Sequence, residues 1–148
     1  MTPRALVITA PGINCDVELA NAFTVAGAEV ESIPLIRLTR DPSIIDRFEL
    51  IGLPGGFSYG DDVAAGRVLA TLIRRSIYPA LRAAVERGCP MIAPCNGFQV
   101  AVQAGLAEAG RAAFRANQAG SNRDALGGLA LGSAPPRPRP LDLSLIHI

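Results

Sequence analysis

Apolar residues fall along the chain in two kinds of run, short continuous blocks and longer stretches of helical spacing. Ala5 to Thr9 (ALVIT) is a continuous block, the pattern of a strand buried on both faces. A turn at Pro11-Gly12-Ile13 follows, with Asn14 placed to cap a helix and Asp16 and Glu18 in its first turn, where acids complement the dipole. Leu19, Ala22, Phe23 and Ala26 recur at helical spacing, and Gly27 supplies the stop. Ala28 to Pro34 predicts a second strand, less hydrophobic and so nearer an edge. Residues 35–48 read as an irregular connection with one helical turn after Asp41-Pro42. Glu49 to Leu53 (ELIGL) predicts a third strand ending at Pro54-Gly55-Gly56. Helices are predicted from about Val63 to Ser76 and from Tyr78 to Arg87, the latter with Pro79 in its first turn and Gly88 as its stop. Pro90 to Ala93 is the next strand and Asn96 to Ala104 the helix after it.

Strands alternating with helices predict a doubly wound, mostly parallel sheet with helices on both faces. Ligands of such sheets bind at the carboxyl ends of the strands, so the loops at 10–16, 54–62 and 94–97 are the ones to watch. Residues 1–106 carry this pattern as the N-terminal part of one domain. Over 107–148 the periodicity fades into Ala, Gly, Arg and Asn, and Pro135 to Pro140 is an extended low-complexity stretch, so an irregular tail is expected. Leu143 to Ile148 (LSLIHI) resembles translated sequencing adapter more than a domain terminus, which points to a frame slip or a truncated read after Leu106.

Composition narrows the class. A hydrophobic fraction of 49% and a charged fraction of 18% are globular values. The net charge of +1 gives no basis for a nucleic-acid partner. The block at 5–10 is too short for a membrane span or a signal peptide's apolar region. The cysteines, Cys15, Cys89 and Cys95, show no C-x-x-C pair, and a single His leaves metal chemistry without ligands, so no metal site is expected. An odd count without a secretory signal suggests reduced thiols in a cytoplasmic protein.

The chemistry concentrates at Met91-Ile-Ala-Pro-Cys95-Asn-Gly97-Phe-Gln99, a strand, a sharp turn and a helix with a nucleophile at the turn. A nucleophile lifted above the sheet occupies strained backbone, so its neighbours must be small. Ala93 and Gly97 meet that demand, and Pro94 biases Ala93 towards an extended conformation. The helix starting at Asn96 sets its positive dipole end and free N–H groups beside the sulfur, which favours thiolate. The alternative, a buried inert thiol after a core strand, is the reading for Cys89. In Pro54-Gly-Gly-Phe-Ser-Tyr-Gly-Asp-Asp62 the paired Gly55 and Gly56 let the backbone approach a ligand closely. An acyl-transfer site needs two donors for its oxyanion, and Gly56 with Asn96 can supply them. Taken alone, that segment reads as a plain turn with Asp62 capping the next helix, and Asp61-Asp62 as caps rather than a metal site. Pro11-Gly-Ile-Asn-Cys-Asp16 is by pattern a strand-to-helix turn.

PGINCD, GGFSYGDD, AAGR and CNGFQ, in this order and spacing over residues 4–106, resemble the glutaminase subunit family of phosphoribosylformylglycinamidine synthase, among class I glutamine amidotransferases. The resemblance implies a flavodoxin-like fold whose C-terminal part is missing. It implies that Cys95 attacks glutamine to leave a γ-glutamyl thioester, that Gly56 and Asn96 donate to the oxyanion, and that Phe57 and Gln99 line the glutamine pocket. It implies ammonia transfer to a synthetase subunit that uses ATP and magnesium in de novo purine synthesis, with a small third subunit in the complex and no cofactor on this chain. Two departures stand out. The family usually has Gly at the position of Ala93, and its catalytic His and Glu have no counterpart here, the single histidine being His147. The chain as written is therefore expected to release little or no ammonia alone. Two rivals remain: a DJ-1/PfpI-like enzyme with Glu18 as the carboxylate beside Cys95, and a non-catalytic module that docks on a synthetase.

Overall fold

The block at 5–9 becomes β1, Arg4–Thr9, the second strand of a four-stranded parallel sheet ordered β2-β1-β3-β4. A computed structural model describes residues 2–61 and 64–107, and the expected tail at 107–148 lies outside them except for Ala107. β2 is Glu29–Pro34, β3 Leu50–Gly52 and β4 Met91–Ile92. Register pairs Leu6 with Ile51 and Ile51 with Met91, so alternate rows of side chains face opposite sides of the sheet. β2 is the edge strand its weaker hydrophobicity predicted, with Ile33 its one buried residue.

Each face carries its own core, as a doubly wound sheet requires. On one side Ala5 and Val7 pack with Leu19 and Phe23 of α1, Asp16–Val25. Gly52 permits this approach, because a side chain there would press on Leu19 and Phe23 at under 3 Å. On the other side Leu6, Ile8 and Ile51 pack with the remaining helices. These include α3, Arg67–Ser76, α4, Tyr78–Glu86, and α5, Asn96–Ala104.

Two local expectations change. The connection at 35–48 holds α2, Leu35–Arg40, which buries Leu35 and Leu38, before the expected turn at Pro42–Arg47. One and a half turns are too few for periodicity to stand out from sequence. Asn14 caps nothing: α1 begins one residue later with Cys15 at its N-cap and no side-chain cap bond. Asn14 is instead packed against Gly56, where a Cβ would stand 2.7 Å from the Asn14 amide nitrogen. Gly27 and Gly88 terminate α1 and α4 at φ +92° and +90°, as expected.

Candidate active site

The three strand-end loops converge. Ile13 bridges Gly56, the Phe57 N–H donates to Gly12 O at 2.9 Å, and the Tyr59 N–H donates to Pro11 O at 2.7 Å. The Cys15 N–H reaches Gly55 O at 3.3 Å. A Cβ on Gly12 would fall 3.0 Å from both Phe57 C and Tyr59 N, so the loops after β1 and β3 touch backbone to backbone.

Cys95 sits where these loops meet the start of α5. Its φ of 52° and ψ of −119° are the strained conformation that an elbow demands, and its side chain is exposed. Ala93 behind it is fully buried. Gly97 is hemmed in by backbone, since a Cβ there would overlap the Leu53 carbonyl oxygen and lie 2.8 Å from its carbon. Gly55 faces Cys95, its missing Cβ lying 3.3 Å from Cys95 Cβ and 3.8 Å from Cys15 Cβ. The small-neighbour rule read from sequence therefore has a backbone contact behind it at Gly97 and full burial at Ala93. Cys89 is buried, as its inert reading requires, and burial pushes its thiol up to about 11, with Glu49 adding slightly and Arg87 opposing.

The helix start leaves donors open. The Gly97, Phe98 and Gln99 N–H groups bond to Pro94 O and Cys95 O, whereas those of Gly56 and Asn96 make no hydrogen bond among the described residues. Phe57 is 64% exposed. The Gln99 carbonyl is engaged by Asn96 at 3.1 Å. Glu18 is exposed on α1 and makes no hydrogen bond to Cys95. Among the described residues no three His, Cys, Asp or Glu cluster to hold a metal.

Sequence reasoning missed the support beneath this surface. Among the described residues Ser58 and Asn96 are the buried polar ones, bonded to each other. Asp61 accepts from Gly66 N–H at 3.0 Å, on the residue before α3, and the start of α3 has no side-chain cap bond, so Asp61 does not play the capping role expected of the acidic pair, while Asp62 lies outside the described residues. Tyr59, Gly60 and Asp61 all have positive φ, which costs on the order of 1–3 kcal/mol for each non-glycine residue. A polar pair inside a glycine-rich motif was the available signal, and it reads equally well as turn chemistry.

Three comparisons bear on this geometry. The family model of the CobB/CobQ-like glutamine amidotransferase domain matches residues 2–123. The phosphoribosylformylglycinamidine synthase subunit PurQ of Dehalococcoides mccartyi is 41% identical over 103 residues, 70% of this chain and 40% of that protein. PurQ of Methanococcus maripaludis is 39% identical over 106 residues, 72% of this chain and 39% of that protein. A chain of the solved structure of PurLQS from Thermotoga maritima superposes with a TM-score of 0.59 at 40% identity, over 72% of this chain and 46% of that one. The chain spans about two-fifths of the length of the curated relatives it matches.

Proposed function

The chain belongs to the CobB/CobQ-like glutamine amidotransferase family, and from that premise we propose that it carries the nucleophile and oxyanion site of a glutaminase. Cys95 Sγ attacks the side-chain carboxamide carbon of glutamine. The carbonyl oxygen takes up the displaced electron pair and accepts hydrogen bonds from the Gly56 and Asn96 N–H groups. Collapse breaks the carbon–nitrogen bond, the nitrogen leaves as ammonia once protonated, and the acyl group stays on sulfur. Water then releases glutamate and the thiol. The observation that carries this reading is the exposed Cys95 at φ 52°, facing Gly55, with two uncommitted backbone donors at its sides. Proton transfer to the leaving nitrogen needs a base and acid, and His147, the single histidine, lies outside the described residues.

The ammonia goes to a synthetase subunit that makes the amidine of formylglycinamide ribonucleotide, with a small third subunit attached. ATP and magnesium belong to that synthetase. The relatives named as PurQ and the PurLQS structure support this assembly. We place the protein in the cytoplasm, since its three cysteines are unpaired. No helix among the described residues is long and apolar enough to cross a membrane.

The test is covalent labelling by the diazo-ketone analogue of glutamine, read by peptide mass spectrometry on the wild type and on Cys95→Ala. Modification confined to Cys95, and lost in the variant, is the expected result. Modification at Cys15, or none anywhere while partner binding persists, would leave a docking module and remove the enzyme.

A further inference from the structure

Asn96 carries two functions on one residue. Its backbone N–H is one of the uncommitted donors beside Cys95, while its side chain, 2% exposed, points away into the protein. There the carbonyl oxygen accepts from Ser58 Oγ at 2.7 Å and from Ser58 N–H at 3.3 Å. The amide nitrogen donates to Gln99 Oε1 at 3.1 Å and to Asp61 Oδ1 at 3.4 Å. Both lone pairs and both N–H groups of the amide are used. Ser58 precedes and Asp61 closes the left-handed run Tyr59-Gly60-Asp61, and Ser58 stands two residues from Gly56, which bears the other open donor. No other buried polar side chain joins the elbow to this loop among the described residues.

We propose that the Asn96 side chain is the positioning residue that sets the distance between the two oxyanion donors, by tying the loop of Gly56 to the elbow through Ser58 and Asp61. The inference rests on the glutaminase reading above. Asn96's amide touches no substrate; it acts through Ser58 and Asp61. A carboxylate of the same shape cannot replace it, because it offers no donor and would face Asp61, the titratable group that the side chain meets.

Glutamine hydrolysis is measured in the full-length protein assembled with its synthetase, with iodoacetamide alkylation of Cys95 in parallel. Alkylation displaces iodide from carbon and forms no oxyanion, so it reports the thiol alone. In Asn96→Ala and Asn96→Asp, kcat is expected to fall about tenfold to hundredfold, the range of a misplaced donor, with KM little changed. Alkylation of Cys95 should hold its wild-type rate. For Asn96→Asp, kcat relative to wild type should recover as pH falls, because a proton shared with Asp61 restores a donor. Ser58→Ala keeps its backbone N–H and should lose less than either.

Wild-type kcat in both Asn96 variants would overturn the proposal, as would a KM effect with kcat unchanged, which would make the side chain a substrate contact. Should the alanine variant fail to fold, the isosteric Asn96→Asp decides through its pH profile, and a profile parallel to wild type counts against the proposal. A wild-type complex that hydrolyses no glutamine sinks the glutaminase reading itself, and does so before any variant is measured.

Discussion

Replacing Gly97 by alanine tests whether the elbow is as close to β3 as the geometry says. The added Cβ would overlap the Leu53 carbonyl oxygen, lie 2.8 Å from Leu53 C and 3.0 Å from Pro54 O. Carbon pairs settle at about 3.5–4.0 Å, so the strand end and α5 must separate by roughly 1 Å. Every atom struck is backbone, so no rotamer change relieves the overlap. Leu53 is moreover pinned by its own N–H to Ile92 O at 2.9 Å, a bond worth about 1 kcal/mol that the separation strains. Adding the usual 1–3 kcal/mol of overpacking gives a loss of about 3 kcal/mol. For a unit near 100 residues, that lowers the melting temperature by about 12–24 °C. Gly88→Ala is the control: its φ is +90°, no atom lies within 4 Å, and it incurs only the left-handed penalty of about 1–2 kcal/mol. Both variants are melted against wild type by circular dichroism. If Gly97→Ala loses no more than Gly88→Ala, the elbow has room for a side chain and the argument for glycine there fails.

Other substitutions separate reactivity from folding. Gly55→Ala adds a methyl 3.3 Å from Cys95 Cβ at a position without positive φ, so stability should change by less than about 1 kcal/mol. Labelling of Cys95 by a glutamine analogue should slow about tenfold, a barrier of about 1.4 kcal/mol, and an unchanged rate would show that Gly55 does not border the reacting sulfur. At pH 8, iodoacetamide should modify Cys15 and Cys95 in the folded protein and spare Cys89, whose thiol burial raises to about 11; early Cys89 modification would contradict the packing. The same shift makes stability pH-dependent. The unfolded thiol releases its proton from about pH 9 and the folded one only near 11, so stability is full below 9 and falls between those values, by about 3 kcal/mol at most. Melts of wild type and Cys89→Ala across that range check it, and parallel losses in the two would refute it.

The elements that sequence predicts well are those whose signal is local. β1 is a block of apolar residues that needs no partner to be recognised, and α5 begins at a residue whose predecessor must turn sharply. α2 and the start of α1 differ from the sequence reading because their determinants lie elsewhere: Leu35 and Leu38 are helical because a core receives them, and Asn14 packs against Gly56, more than forty residues along the chain. Cys95, Gly55 and Gly97 were legible because each obeys a rule of size or conformation that one position can satisfy.

Ser58 and Asn96 obey no such rule. The side chain of each is unremarkable until the fold lays one upon the other, and the bond between them spans 38 positions. The two layers of the site are thus readable to different degrees for one physical reason. The upper layer, the surface around Cys95, is specified by backbone shape, and backbone shape constrains residue size at single positions. The lower layer, which holds the upper one still, is specified by pairs, and a pair becomes visible only when the strand order β2-β1-β3-β4 has brought the ends of β3 and β4 side by side. A substitution in the upper layer should therefore act on reactivity directly. One in the lower layer should act through geometry, changing kcat while leaving the thiol of Cys95 as reactive as before.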